Sequence, residues 1–408
     1  EELVAKKLLI AHKEVVLPFI KDENAYVYLE PEQLAFISYP YEWSFSMLKD
    51  AALLTLQIAN KAMQYGMMLK DATPYNVQFY DGRMAYIDTL SFEIWDGTKP
   101  WIAYRQFCMN FLAPLALMHY SKLPLQNFLL AYPEGVPLQI AAAMLPLKTK
   151  FNVHLYLHLH LNASVSSSAT SQQEATFSAD KLKNIFKSLE AGITALRLNC
   201  RTTWSAYYAE AGQRDGYVEN KKRVISEWIK GSGFKTAFDA GANDGNFSEL
   251  LAAENIYTIS ADGDHYAVDE LYKNARQNRS LVHPLIVDLA NPSPAIGINN
   301  GERKSLFQRV GVDLVMALAV IHHLAIARNI PFDMIAHLFK SLGKYLLIEF
   351  VPRDDEKIQL MLSQKKDVYD WYTENEFRMA FAKHYQIVKT QRIAPSNRVV
   401  YLMHPHEL

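Results

Sequence analysis

A short apolar run ends in the acid Asp239 and gives way to a turn containing Gly241, Asn243, Asp244 and Gly245. Such a strand-to-helix turn can cradle a nucleotide-type cofactor. Glycine lets backbone approach a ligand where a Cβ would collide, and the helix that follows aims unsatisfied N–H groups at the turn. A phosphate cradle carries Lys and then Ser or Thr after its last glycine, whereas Asn246, Phe247 and Ser248 follow here, with no basic residue between Asp239 and Glu249. An acidic turn repels a pyrophosphate and suits a ligand that bears an amino group and a sulfonium beside a ribose. Glycine-rich turns also arise for structural reasons alone, and the turn by itself leaves both readings open.

Further acids follow in step. Residues 257–262 read as a second strand closed by Asp262, a carboxylate placed to accept both ribose hydroxyls, with Asp264 as the alternative if the strand is shifted. Residues 281–289 read as a third strand, whose Asp288 either meets the ligand or begins the turn before Asn291 and Pro292. A fourth apolar run, 312–324, passes from strand into helix and carries His322 and His323. An imidazole there could take a proton from an attacking oxygen or nitrogen; otherwise it is a helix-start residue packed under the ligand. No metal site is expected, because adjacent histidines diverge on a helix and no carboxylate follows at helical spacing. Residues 345–350 supply a fifth strand with Glu349 near its end, Thr373 and Glu376 form a capping-box signature, and 385–390 with 398–404 read as an antiparallel pair.

The series resembles the class I S-adenosylmethionine-dependent methyltransferases. The resemblance implies an α/β, Rossmann-like seven-stranded sheet of order 3-2-1-4-5-7-6, where the pattern itself gives only a doubly wound sheet. It implies S-adenosylmethionine as cofactor, with Asp239, Gly241, Asn243 and Gly245 around the methionine part, Asp262 on the ribose, Asp288 and Leu289 at the adenine, and the backbone of Ala317 and Leu318 beside the methyl donor. His322 and Glu349 are the candidates for proton removal. Alignment of nucleophile, methyl carbon and sulfur supplies much of the rate, so a dedicated base is not required.

The N-terminal half, α+β and mostly helical, stands apart. Asp71, Asn76 and Asp88 have the spacing of a kinase-like catalytic loop, in which one Asp faces the hydroxyl nucleophile while Asn and the second Asp hold magnesium. A helical pattern over 47–65 precedes them, as in a kinase C-lobe. No Gly-x-Gly-x-x-Gly loop or Val-Ala-x-Lys strand lies upstream, and Thr89 and Leu90 follow Asp88 where Phe-Gly is usual. A degenerate kinase-like scaffold is the expectation, with an active kinase and turn chemistry at Thr73-Pro74 and Asp81-Gly82 as alternatives. Residues 153–161 alternate apolar and polar, which puts His154, His158 and His160 on one face if they form a strand. We read that face as the polar side of an amphipathic element, a metal site being the alternative.

A chain of 408 residues, half of them apolar, exceeds what one core usually serves. The expected layout is an N-terminal domain over 1–161, a Ser-rich linker over 162–178, a helical cap over 179–230 and the methyltransferase domain over 231–408. Trp204, Tyr207 and Tyr208 in the cap either line the site or anchor a helix. A net charge of −1 gives no reason to expect a nucleic-acid partner. Two distant cysteines, Cys108 and Cys200, argue against a disulfide framework or zinc site and for the reduced cytoplasm. The longest apolar stretch, 128–147, is broken by Pro133, Glu134, Gly135 and Pro137, so no membrane span is expected. The chain opens Glu1-Glu2-Leu3 without Met or a signal-like segment, so its true N-terminus is expected upstream.

The phrases Ser38–Trp43, Leu69–Asn76, Ile87–Phe92, Leu289–Pro294 and Ala319–Ala325 resemble a bacterial two-part group of nodulation-related methyltransferases, over nearly the whole chain. That resemblance implies methyl transfer to a small or carbohydrate-like acceptor. The oligomeric state is open. Two other functions compete: a non-catalytic scaffold with an ATP-binding half, and a nicotinamide-dependent oxidoreductase.

Overall fold

The chain divides into two units, Glu1–Cys200 and Arg201–Leu408. The computed structural model describes residues 1–16, 25–164, 177–198, 216–364 and 368–406. Cys200, Trp204, Tyr207, Tyr208 and most of the Ser-rich stretch lie outside the described residues.

The N-terminal unit is organised around the helix Phe45–Met63, which starts where the Ser44 hydroxyl accepts the Met47 N–H at 3.4 Å. Its Leu48, Ala51, Ala52, Thr55, Ile58, Ala59 and Ala62 recur every three or four positions and are buried. Among the described residues three two-stranded antiparallel pairs accompany it: β1 (His12–Val15) with β2 (Tyr28–Pro31), β3 (Met67–Leu69) with β6 (Phe92–Ile94), and β4 (Val77–Tyr80) with β5 (Arg83–Tyr86). Asp81 and Gly82 both take positive φ, 49° and 67°, as a tight hairpin turn requires.

One expectation for this half is corrected, and one conditional reading is decided. The segment 179–230 is not one cap ahead of the sheet, because the helix Ala179–Ala195 belongs to the N-terminal unit. Its Leu182, Phe186, Leu189 and Ile193 are buried, Phe186 meets the Trp101 ring edge-on at 5.0 Å, and Lys49 Nζ donates to the carbonyls of Thr194 and Leu196 at 2.8 Å each. Residues 153–161 are helical rather than a strand, running from Val153–Leu155 into wide π-type turns over Tyr156–Leu161. Alternation has the strand period, but burial follows the helical one: Leu155, His158 and Leu159 are covered while Val153, Leu157 and Leu161 are exposed. The Ser188 hydroxyl lies between His154 Nδ1 and His158 Nε2, at 2.9 and 2.8 Å, and His160 pairs with Thr149 at 2.8 Å, so these rings tie helices together.

The C-terminal unit holds one seven-stranded sheet. Its strands are β7 (Thr236–Ala240), β8 (Tyr257–Asp262), β9 (Val282–Ile286), β10 (Val312–Ala317), β11 (Gly343–Phe350), β12 (Tyr385–Arg392) and β13 (Val399–Pro405). The order β9-β8-β7-β10-β11-β13-β12, with β13 antiparallel to both neighbours and the other pairs parallel, is 3-2-1-4-5-7-6 when counted within the unit. The inner strands are buried along nearly their whole length, which explains their continuous apolar sequences. Parallel strands send their C-terminal ends to one edge, the edge at which open α/β sheets hold ligands. On one face the helix Tyr217–Ile229 packs Val224, Ile225 and Ile229 into a cluster with Ala237, Leu314 and Met316. Thr373 caps the helix Glu374–Ala382 by accepting the Glu376 N–H at 3.2 Å. Among the described residues no helix is long and apolar enough to cross a membrane.

Candidate functional site

The turn after β7 reverses the chain through left-handed backbone at Gly241 (φ 77°), Asn243 (φ 49°) and Gly245 (φ 84°) before the helix Asn246–Ala253 begins. The glycines serve packing as well as conformation. A Cβ on Gly241 would lie 2.4 Å from Val320 Cγ2, and one on Gly245 would lie 2.2 Å from Leu271 Cδ1. Neighbouring side chains thus require each glycine, and Gly241 lets the segment after β10 close against the turn.

Asp239 near the end of β7 is 2% exposed and accepts the Ser248 hydroxyl at 2.6 Å. Burial pushes its carboxyl up to about 7; the Ser248 bond opposes the rise, Asp262 adds to it, and Lys221 opposes it. Asp262 ends β8 and holds the turn itself, accepting the Asn243 N–H at 2.9 Å on one oxygen and the Asp264 N–H at 2.7 Å on the other. A carboxylate has about four lone-pair sites, so acceptor capacity remains for a diol. Burial raises its pKa, and the backbone N–H groups resist that rise. Asp264, the alternative ribose acid, instead caps the helix His265–Asn278 by accepting the Tyr266 and Ala267 N–H groups.

Asp288 lies beyond the end of β9 and accepts the Ala290 N–H at 2.9 Å and Arg328 Nη2 at 2.8 Å. It is a turn acid and half of an exposed ion pair, with Leu289 beside it half-buried. Beyond β10, Ala317 and Leu318 are buried, and Ala319 takes φ 54°, an unusual conformation for a residue with a Cβ. His322 is 1% exposed, its ring centroid is 4.2 Å from that of His323, and its Nδ1 is buried without a hydrogen-bond partner. Burial, followed by His323, Arg398 and Lys221, holds its pKa well below the usual histidine value, so the ring is neutral.

Glu349 is placed differently from the expected proton acceptor. It is completely buried, accepts Lys221 Nζ at 2.8 Å on one oxygen, and accepts the Tyr217 hydroxyl on the other. Arg398 Nη1 donates to the Tyr217 oxygen at 3.1 Å, and its Nε and Nη2 bind both Asp355 oxygens at 2.9 and 3.1 Å. Burial alone would raise the Glu349 pKa, but Lys221, Arg398 and Tyr217 together hold it below the usual carboxylate range. A carboxylate so engaged is a poor base.

Sequence reasoning missed Tyr217, Lys221, Asp355 and Arg398. One signal was available: Lys221 stands four residues after Tyr217 and four before Ile225, on the apolar face of its helix. In the N-terminal unit the structure brings the Asn76 and Asp88 side chains together, and Asp71 joins them through its backbone carbonyl. The Ser91 hydroxyl donates to Asp88 at 2.6 Å and accepts Asn76 Nδ2 at 3.1 Å, while Tyr86 accepts from Asn76 and donates to the Asp71 carbonyl. Asp71 Oδ1 is buried without a hydrogen-bond partner. No group of three or more His, Cys, Asp or Glu side chains among the described residues could hold a metal ion.

No protein-family model matches the chain. Among solved structures, the magnesium protoporphyrin IX methyltransferase ChlM of Synechocystis PCC 6803 is 18% identical with a TM-score of 0.34, covering 47% of this chain and 84% of its own. The N-methyltransferase NodS of Bradyrhizobium japonicum WM9 is 11% identical with a TM-score of 0.35, covering 47% and 98%. The bifunctional kinase-methyltransferase WbdD is 18% identical with a TM-score of 0.30, covering 48% and 40%. These likenesses are too distant to carry a functional argument. The nodulation protein NoeA of Rhizobium meliloti (strain 1021) is 32% identical over 377 residues, spanning 90% of this chain and 79% of that protein. Identity over so much of both chains makes this protein a member of the NoeA family.

Proposed function

We propose that the C-terminal unit binds S-adenosylmethionine and transfers its methyl group to the O, N or C of a small or carbohydrate-like acceptor in the cytoplasm. One observation carries the reading: two acidic strand ends, Asp239 and Asp262, converge on a turn that holds no cation, in a sheet of order 3-2-1-4-5-7-6. The residues fit the cofactor. Asp262 has spare acceptor capacity for a ribose, Asp239 offers a buried acid to an amino group or sulfonium, and a Lys-bearing phosphate loop is absent from the turn. Asp288 and Leu289, just beyond β9, would hold the adenine. The acceptor class rests on the family's nodulation name alone.

When bound, the sulfonium supplies an activated methyl group. The chain's contribution would be alignment: the acids would hold the cofactor, and Ala317 and Leu318, both buried, would border its methyl group. Glu349 is committed to Lys221 and Tyr217, and the neutral His322 is sealed inside, so neither is poised to remove a proton. An acceptor that is already nucleophilic suits such a site. Calorimetry of the full chain with S-adenosylmethionine, S-adenosylhomocysteine, NAD and ATP tests the reading; binding of NAD in place of the two sulfur ligands would overturn it.

A second reading concerns the N-terminal unit: Asn76 and Asp88 meet at Ser91, with the Asp71 backbone carbonyl tied in through Tyr86, which favours a kinase-like nucleotide site. If it binds ATP with magnesium, Asp88→Ala abolishes that binding and leaves S-adenosylmethionine binding intact.

A further inference from the structure

Large apolar side chains face outward on one part of the N-terminal unit. Leu147 and Phe151 are 75% and 91% exposed, and Val153, Tyr156, Leu157 and Leu161 on the helical stretch after them are exposed too. Single exposed apolar residues are ordinary on a protein surface, but a contiguous group marks a face that something else covers. The wide turns over Tyr156–Leu161 keep residues four or five apart on one face, so Val153, Tyr156, Leu157 and Leu161 form a stripe. The opposite face is anchored: Leu155, His158 and Leu159 are buried, and the Ser188 hydroxyl lies within 2.9 Å of His154 and His158. His160 pairs with the buried Thr149 at 2.8 Å, which fastens the turn Leu147–Phe151 alongside the stripe. Packing therefore holds the apolar side chains outward.

Charge selects the occupant. Between Glu134 and Glu174 the sequence has no Asp or Glu, although acids are 43 of its 408 residues, and Lys148 and Lys150 are the only Lys or Arg there. Both are exposed on either side of Thr149, Lys148 with its ammonium 5.4 Å from the centre of the Tyr120 ring. The helix Ala179–Ala195, which packs against the stretch through Ser188, carries Lys181, Lys183 and Lys187 against Asp180 and Glu190. A two-fold interface between copies of the chain would set this patch against itself, with Lys148 and Lys150 facing like charges and no acid to offset them. An anionic bilayer offsets them: apolar side chains enter the acyl boundary while the lysine stems carry their charges to the headgroups.

We propose that the face formed by Leu147, Phe151 and the stripe from Val153 to Leu161 docks the chain on the surface of a membrane that contains anionic lipid. The contact holds the chain on the bilayer rather than across it. It lies in the N-terminal unit and is independent of the cofactor reading.

The test is flotation of the full chain with vesicles of phosphatidylcholine alone and of phosphatidylcholine mixed equally with phosphatidylglycerol. Wild type is expected to float with the mixed vesicles and to bind the neutral ones roughly tenfold more weakly, with added salt narrowing the difference. Phe151→Ser/Leu157→Ser, with circular dichroism as a check on folding, should lose at least about tenfold in binding. Lys148→Gln/Lys150→Gln should lose the preference for the anionic vesicles. A Phe151→Trp variant reads the contact at the site itself: relative to wild type, its emission should gain a blue-shifted component on mixed vesicles that brominated acyl chains quench. A wild type that stays in solution with the mixed vesicles overturns the proposal, and so does a folded serine variant that floats as wild type does. A Phe151→Trp spectrum that vesicles leave unchanged overturns it even if the serine variant does not fold. Sedimentation that shows a dimer dissolved by the serine substitutions assigns the face to a second copy and overturns it as well.

Discussion

Asp239 and Glu349 show how environment separates two carboxylates of one sheet edge. Both are buried, but Glu349 has a full cationic partner at 2.8 Å and Asp239 has a hydroxyl. The folded Asp239 value near 7 stands above its ordinary 3.8, so the folded, ligand-free chain holds a proton that the unfolded chain gives up. Its contribution to stability is therefore greatest below about pH 4 and falls as pH rises toward 7. Denaturant titrations should show ligand-free stability declining over that window, with S-adenosylmethionine reversing the decline and Asp239→Asn flattening it. Glu349→Gln leaves the Lys221 ammonium buried without its counter-charge and should cost about 3–5 kcal/mol. The Lys221→Met/Glu349→Leu pair should recover most of that loss in the same denaturation assay.

Strands, turns and caps were the legible elements. The five apolar runs from 236 to 350 and the closing hairpin could be read because inner strands are buried on both faces and the antiparallel pair has a short link. The helix 153–161 was not legible as such, since its alternation has the strand period, and the partner surface bearing Ser188 decides which residues are covered. The turn at Gly241 was found, but the packing reason for its glycine was not. That reason is Val320, far along the chain, and no local pattern reveals it. Gly241→Ala places a Cβ in left-handed backbone and against Val320 Cγ2. It should destabilise the chain by about 1–2 kcal/mol and weaken cofactor binding by displacing the segment 318–322. Pairing it with Val320→Ala should relieve the contact but not the backbone strain, so thermal unfolding of the two variants separates the causes.

On the scale of the whole molecule, the sequence marked two units but placed their boundary too early, because the apolar face of the helix Ala179–Ala195 does not announce which core it joins. The buried ionic set was invisible for a similar reason: its members run from Tyr217 to Arg398, and only folding brings them together. The units hold separate candidate sites, so substitutions at Asp71 or Asp88 should leave sulfur-ligand affinity within about twofold of wild type, a difference of a few tenths of a kcal/mol. The central claim is that the acids at the ends of β7 and β8 hold S-adenosylmethionine. Titration of S-adenosylhomocysteine into the full chain and its Asp262→Ala variant tests it most directly. The account expects saturable binding by the wild type and a loss of at least about tenfold in the variant, the cost of one or two charge-assisted hydrogen bonds. No binding by the wild type, or binding that Asp262→Ala leaves unchanged, would contradict it.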